Sequence, residues 1–244
     1  MVYGHPRRGH FPATRTKRML DLSRSEVLES VDADQIAYYR ARAPWYDDAY
    51  TCAGDYDKGA EENARWLAEL AMIERALGAA PIHGDCVELG AGTGYWTERV
   101  IERVERVWAL DAAPEVLEIA RVRLGARATK VHFEVVDLWR WEPSRRWDSA
   151  VAFFFLEHVP DEVLPALLAA LHGALRPGAP LFVAEGAVDD PEPQIETRSI
   201  GGRTFDVVER RRSPSEYERV LATAGFSVAS LAAGRLVHLL ATRE

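Results

Sequence analysis

From Asp85 onward, the chain alternates short apolar runs with longer segments whose apolar residues recur at helical spacing. The apolar runs predict buried strands, and the spaced positions predict amphipathic helices. The predicted strands are 85–89, 106–110, 131–136, 148–155 and 180–186, and the helices between them are 93–103, 114–124 and 161–175. Such alternation is typical of an α/β fold with a doubly wound, mainly parallel sheet and helices on both faces.

The flanking segments predict further elements. Upstream, Ser23-Arg24-Ser25-Glu26 has the spacing of a capping box and predicts the start of a helix. Helices are also expected over 34–43 and 58–78, and the apolar stripe of the second is assigned to the core. That stripe comprises Trp66, Leu67, Leu70, Ile73 and Leu77. Downstream, we expect a polar loop at 187–202, a strand at 203–210, a helix at 214–224, and strands at 226–232 and 235–242.

Residues 86–94 read Cys-Val-Glu-Leu-Gly-Ala-Gly-Thr-Gly, a pattern that predicts a buried strand, a tight turn and the start of a helix. Gly90 and Gly92 lack a Cβ, so the turn can adopt positive φ and lie against a ligand. A dinucleotide site and a site for another adenosine-bearing cofactor both use such a turn. Tyr95 stands where the dinucleotide fingerprint requires glycine, and Glu88 suits a cationic ligand better than a pyrophosphate.

Two further predicted strands end in carboxylates. Asp111 follows Val107-Trp108-Ala109-Leu110, about where such folds bind ribose hydroxyls. A carboxylate can accept a hydrogen bond from both the 2′- and the 3′-hydroxyl. Asp137 ends the run that begins at Val131. Each aspartate could instead cap the helix that follows its strand. A ligand-binding role is favoured mainly because the three strand-end motifs follow one another along the chain in the expected order.

Composition sets limits on the partners. The chain has 244 residues, of which 48% are hydrophobic, so we expect one main α/β domain with an N-terminal elaboration. The net charge of −8 disfavours nucleic acid. No apolar run has the length of a membrane helix, and the basic segment 1–20 has no apolar core, so we expect a cytoplasmic protein without a secretory signal. We divide the chain into an arm and helix at 1–33 and a domain at 34–244, which includes cover helices at 34–78.

The segments 86–94, 107–111, 131–138 and 147–160 resemble the motifs of class I S-adenosylmethionine (SAM) dependent methyltransferases, in particular those that act on small molecules and natural products. The resemblance implies a Rossmann-like sheet of seven strands in the order 3-2-1-4-5-7-6, with the last strand antiparallel. It implies SAM as cofactor and S-adenosylhomocysteine as product. By the same resemblance, Asp137 accepts from the adenine amine and the backbone amide of Leu138 contacts the ring.

The resemblance also extends to the N-terminal side. The segment 38–47 looks like the cover helix of small bacterial methyltransferases, whose tyrosines close over the methionine end of the cofactor. Tyr39 and Tyr46 are the candidates, although packing of the cover onto the domain would equally explain them. The complete set assigned to the cofactor is Tyr39, Tyr46, Glu88, Gly90, Gly92, Asp111, Ala112, Asp137, Leu138 and Phe153.

The acceptor is expected beyond the fourth strand, because ligands of doubly wound sheets bind outside the carboxyl ends of the strands. His158 is the candidate general base, and Glu157 could orient it or attract an amine. The alternative is a histidine that only caps a helix or binds a backbone carbonyl. The segments 187–202 and 203–209 are the expected substrate wall. No Asp/Asn-Pro-Pro-Tyr sequence, which in the family marks members that methylate nucleobase or glutamine amides, follows the fourth strand. No set of carboxylates resembles the divalent-metal site of catechol-type O-methyltransferases, so no metal is predicted.

The sequence therefore predicts methyl transfer to an oxygen, nitrogen or carbon of a small metabolite, with secondary metabolites the expected class. The predicted partners are the small-molecule acceptor only, with no nucleic acid and no membrane, and the chain is expected to be a monomer or homodimer. Two alternatives stay open. One is a catalytically silent SAM-binding or regulatory protein, and the other is a nicotinamide-dependent oxidoreductase.

Overall fold

A computed structural model describes residues 24–189, 194–233 and 235–244. The basic arm and Ser23 of the predicted capping box lie outside the described residues. No helix in the described part of the chain is both long and apolar enough to cross a membrane.

A seven-stranded sheet organises the chain. Its strands are β1 (Asp85–Leu89), β2 (Arg106–Asp111), β3 (Val131–Val135), β4 (Ser149–Phe153), β5 (Pro180–Gly186), β8 (Phe226–Ala233) and β9 (Leu236–Arg243). The order across the sheet is β3-β2-β1-β4-β5-β9-β8, and only β9 runs antiparallel to its neighbours. With β8 as sixth and β9 as seventh strand of the family pattern, the predicted order and the doubly wound Rossmann-like fold are confirmed.

Burial explains which strands lie at the centre. Every residue of β4 and β5 is buried, because helices cover both faces of the sheet there. The edge strand β3 has no fully buried residue and leaves Val135 exposed. In the register, Leu89 of β1 lies between Leu110 of β2 and Ala152 of β4. The residues that follow these positions therefore meet at one edge of the sheet.

The helices largely match the expected positions. They are α1 (Arg24–Arg42), α2 (Asp48–Thr51), α3 (Ala60–Ala79), α4 (Thr97–Val100), α5 (Pro114–Leu124), α6 (Leu164–Ala174) and α7 (Pro214–Thr223). The apolar stripe of α3 is buried at Leu70, Ile73 and Leu77, but Leu67 is 47% exposed and its assignment to the core was wrong.

The predicted helix 93–103 is much shorter than expected, since only Thr97–Val100 is α-helical. Gly92 and Gly94 have φ of +53° and +77°, a left-handed backbone that a right-handed helix cannot contain. A Cβ on Gly94 would lie 2.8 Å from the Cβ of Ala120 in α5. The glycine turn therefore extends further than predicted, and α5 packs directly against it.

The segment 187–202, expected to be a loop, contains a strand. β6 (Gln194–Ile200) pairs antiparallel with β7 (Arg203–Glu209), and the two are joined by Gly201-Gly202, both at positive φ. This is the backbone that a two-residue hairpin turn requires. The hairpin lies against α1, where Tyr38 packs on Phe205 and Val207. The glycine pair between strand-like residues was the sequence signal that the prediction missed.

Candidate functional site: a cleft at the carboxyl ends of the strands

The glycine turn after β1 is tied to the end of β2. Gly90 has a φ of +67°, and a Cβ there would collide with the ring of Phe155 at 2.4 Å. The amide of Gly92 donates to Oδ2 of Asp111 at 2.9 Å, and the amide of Ala91 donates to the carbonyl of Leu110 at 3.0 Å. The turn and the Asp111 carboxylate are thus held in one fixed arrangement.

A cleft opens at this edge of the sheet, with an empty volume of about 660 Å³ including its solvent-open part. Eight of the predicted site residues line it: Tyr39, Tyr46, Gly90, Asp111, Ala112, Asp137, Leu138 and His158. Sequence reasoning missed several other lining residues, among them Gln35, Trp139, Phe154 and Phe155.

Asp111 combines a structural and an accepting role. Its Oδ1 accepts from the amide of Ala113 at 2.9 Å, and its Oδ2 accepts from Gly92. Burial raises the pKa of this carboxyl, and the backbone amides of Ala113 and Gly92 oppose that rise. A carboxylate offers about four acceptor positions, so two amides leave capacity for two ligand hydroxyls.

Asp137 both caps a helix and faces the cleft. Its Oδ1 accepts from the amide of Trp139 at 3.0 Å, which caps the short 3-10 helix Leu138–Arg140. Its Oδ2 accepts from Nη1 of Arg140 at 2.6 Å. The capping role that the sequence left open is therefore real, and it coexists with a position in the cleft wall.

Glu88 and Phe153 lie beside the cleft and not in it. They line a smaller cavity of about 210 Å³, which shares Tyr46 and Gly90 with the cleft. Glu88 is buried, and the hydroxyl of Thr97 donates to its Oε2 at 2.6 Å. Burial raises the pKa of Glu88 to about 8, with the Thr97 hydrogen bond opposing the rise. A carboxyl with this pKa is largely neutral at pH 7, which weakens the expectation that it serves a cationic ligand.

The ring of Tyr46 separates the cleft from this smaller cavity. A Cβ on Gly92 would lie 3.1 Å from the Tyr46 ring, so Gly92 faces this part of the cover helices and not open space in the cleft. The next residue, Asp47, forms an ion pair with Arg123 of α5 and accepts from the hydroxyl of Thr93 in the glycine turn. These long-range contacts hold the cover helices against the glycine turn, and no local sequence pattern predicted them.

One ring nitrogen of His158 is hydrogen-bonded to the backbone, and the other is hydrogen-bonded to Tyr39. Its Nδ1 lies 3.1 Å from the carbonyl oxygen of Val208 in β7, and its Nε2 lies 2.9 Å from the hydroxyl of Tyr39. A carbonyl can only accept, so Nδ1 carries the proton and Nε2 is the basic nitrogen. Burial raises the pKa of Tyr39 well above its usual value, so the phenol is the donor to Nε2.

Glu157 does not line the cleft. Its Oε1 lies 3.8 Å from Nε2 of His158, too far for a hydrogen bond, so it does not orient that ring as expected. Its Oε2 lies 3.4 Å from Nε of Arg211. The same oxygen packs closely against Gly186, where an added Cβ would lie 2.8 Å from it. Gln35 links the backbones of the two segments, because its Nε2 donates to the backbone carbonyl of His158 and its Oε1 accepts from the amide of Val208.

Known proteins with related sequences share the central part of this chain. Residues 86–178 match a family described as a methyltransferase domain. The malonyl-[acyl-carrier protein] O-methyltransferase of Serratia marcescens is 33% identical over 52% of this chain and 46% of its own. The ubiquinone biosynthesis O-methyltransferase of Xanthomonas axonopodis pv. citri is 29% identical over 43% of this chain and 44% of its own. The chain thus spans less than half the length of these curated relatives.

A solved structure matches over most of the chain. The DhpI-SAM-HEP complex superposes with a TM-score of 0.74 at 29% identity, over 87% of this chain and 97% of that one. Sheet order, glycine turn and strand-end carboxylates agree with the domain match. Together, these similarities support a class I SAM-dependent methyltransferase.

Proposed function

We propose that this chain binds SAM and transfers its methyl group to an oxygen, nitrogen or carbon nucleophile of a small metabolite, releasing S-adenosylhomocysteine. A secondary metabolite is the class of acceptor we favour. The observation that carries the proposal is the meeting of the Asp111 and Asp137 carboxylates with the Tyr39–His158 pair in one cleft.

The cleft has suitable donors and acceptors for SAM. Asp111 retains two acceptor positions for the ribose hydroxyls. Asp137 and the backbone of Leu138 would take the adenine edge, with Ala112 beside it. Tyr46 closes the methionine end together with Gly90, and its ring face suits the positive sulfonium. We assign Gly92, Glu88 and Phe153 to the wall behind Tyr46, since none of them faces the main cleft directly.

SAM supplies a methyl group on a sulfonium, which needs no activation by the protein. The chain must align the acceptor with that methyl group, and alignment of this kind contributes up to about 7–11 kcal/mol. Where the acceptor carries a proton, Nε2 of His158 takes it while Nδ1–H stays on the Val208 carbonyl. A positioned base adds about 10²–10⁴ in rate. Phe154 and Phe155 keep water from the reacting atoms.

Tyr39 has a different role from the one first expected. Its hydroxyl occupies Nε2 of His158 in this structure, so an acceptor hydroxyl or amine must displace it or pass its proton through it. We therefore assign Tyr39 to the acceptor side of the cleft, while Tyr46 stays with the cofactor.

Calorimetry with SAM, S-adenosylhomocysteine and NAD tests the cofactor. We expect micromolar binding of the first two, and NAD serves as the control. Mass spectrometry of the purified protein should detect co-purified SAM or its product. Stabilisation by NAD without any effect of SAM would instead indicate the oxidoreductase.

A screen with labelled methyl groups against small phenols, amines and indoles tests the activity. We expect label in at least one acceptor class, and loss of that label when His158 is replaced. Tight SAM binding without transfer to any acceptor would favour the silent SAM-binding protein. The domain division at residue 34, the cytoplasmic location, the absence of a nucleic-acid partner and a monomeric or homodimeric state remain predictions.

A further inference from the structure

A buried carboxylate lies behind the loop that carries His158. Glu185 is 0% exposed near the carboxyl end of β5, next to β4. Its Oε1 accepts from the amides of Phe155 and Leu156 at 3.1 and 2.8 Å, and its Oε2 accepts from the amide of Glu157 at 3.2 Å. Three successive amides on one carboxylate form an anion-binding turn whose anion is part of the protein.

The loop carries the side chains that form the acceptor end of the cleft. Phe154, Phe155 and His158 line the cleft, and Phe154 has a φ of +51°, which is rare for a non-glycine residue. Such a backbone persists only where its surroundings fix it. The loop ends in a short 3-10 helix, Leu156–His158, whose leading amides are those bound by Glu185.

A buried cation holds the same loop from its carbonyl side. Arg212 is 2% exposed, and its guanidinium donates to the carbonyls of Leu156 and Val159 at 2.8 and 3.2 Å. The carboxyl group of Glu185 thus binds amides of the loop, and the guanidinium of Arg212 binds its carbonyls. Both kinds of backbone polar group are satisfied by a buried side chain. Burial and, after it, the neighbouring Glu157 raise the pKa of Glu185 to about 8, and the three amides oppose that rise.

We propose that Glu185 is a positioning residue for the methyl transfer, whose buried carboxyl group fixes the loop 154–158 and so holds His158 between Val208 and Tyr39. This inference rests on the proposed function. Glu185 is not among the residues that line the cleft, and its contact with the loop is through the three amides. The amide of glutamine cannot replace the carboxyl group, because its nitrogen would face the amide of Glu157, donor against donor.

The test compares Glu185→Gln with Ser149→Ala. Ser149 is equally buried at the opposite end of β4 and donates to the His83 carbonyl at 2.8 Å, so its loss also costs a buried hydrogen bond. We expect Glu185→Gln to lower kcat at least tenfold and keep the SAM Kd within threefold. We expect Ser149→Ala to lower Tm but keep kcat within twofold. Equal losses of kcat in both variants at equal Tm would overturn the proposal.

A spectroscopic signature separates positioning from general stability. Nitrogen NMR of ¹⁵N-histidine-labelled protein reports the tautomer of His158, whose signal is identified by its loss in His158→Gln. We expect the Nδ1–H tautomer in the wild type and an averaged or reversed tautomer in Glu185→Gln. An unchanged His158 signal would overturn the proposal. This readout needs no acceptor, so it remains decisive if methyl transfer itself is not found.

Glu185→Asp covers the case in which the glutamine variant does not fold. Aspartate keeps the carboxyl group but withdraws its oxygens from the amides by one methylene. We expect a folded protein with reduced kcat, retained SAM affinity and a partly averaged His158 tautomer. Wild-type kcat together with a wild-type tautomer in this variant would overturn the proposal.

Discussion

Asp111→Ala is the sharpest test of the proposed cofactor site, because this carboxylate holds the glycine turn and, in the proposed function, also binds the ligand. The variant removes two proposed hydrogen bonds to ribose hydroxyls. Hydrogen bonds to a charged acceptor contribute about 1.5–3 kcal/mol each, so we expect the two together to contribute at least about 3 kcal/mol. Loss of this contribution corresponds to a rise in the SAM Kd of at least about 150-fold.

The same substitution removes the acceptor of the Gly92 and Ala113 amides. We therefore expect the ligand-free protein to lose about 1–3 kcal/mol of unfolding free energy as well. Calorimetry measures the Kd, and thermal unfolding without SAM measures the second effect. Glu134→Ala, which removes a half-exposed carboxylate from the neighbouring strand β3, is the control and should leave both values unchanged. A Kd within threefold of wild type would remove Asp111 from the cofactor site.

Three further variants test the rest of the cleft. Gly92→Val should stay folded by circular dichroism and lose SAM binding, because its side chain would displace the Tyr46 ring from a position only 3.1 Å from the added Cβ; intact binding would refute this. His158→Ala should lower kcat about 10²-fold or more with an unchanged SAM Kd, and a loss below tenfold would leave His158 as a structural residue only. Glu88→Gln should remove a pH dependence of stability. The pKa of Glu88 is raised to about 8 in the fold, so the native state holds a proton that the unfolded state has lost above its pKa of 4.5. The contribution of Glu88 to wild-type stability should then fall by about 1.4 kcal/mol per pH unit between these values and level off above pH 8. Unfolding curves at pH 6–9 that stay parallel for the wild type and the variant would contradict this.

The sheet and the cofactor end of the cleft could be predicted because their signals are local. A buried parallel strand reads as a continuous apolar run, and the residue after it lies at the ligand-binding edge whatever else the chain does. Gly90 and Asp111 were found in this way, and both line the cleft. Asp137 lines it too, although it follows the edge strand β3, which has no fully buried residue. The bounds of β1 and β5 were predicted to the residue for the same reason.

The acceptor end could not be predicted, because its contacts join distant parts of the chain. Nothing near His158 in the sequence indicates that its ring will bond the carbonyl of Val208. Nor does it indicate that the side chain of Gln35 will link the backbones of His158 and Val208. The position of Glu157 next to His158 in the sequence also led to a wrong expectation. Glu157 precedes His158 and was expected to assist it, but the 3-10 turn at Leu156–His158 places its carboxylate behind the loop, beside Arg211.

The hairpin of β6 and β7 gives the acceptor end a property that the cofactor end lacks. β7 supplies the carbonyl that fixes the His158 tautomer, and the same hairpin packs against α1, which carries Tyr39. Among the described residues, none of the hairpin is part of the cleft lining, so the expectation that 187–209 forms the substrate wall is not met. The hairpin instead supports His158 from behind through the Val208 carbonyl. We therefore expect a change that moves this carbonyl to disturb the His158 tautomer without altering the cleft wall itself.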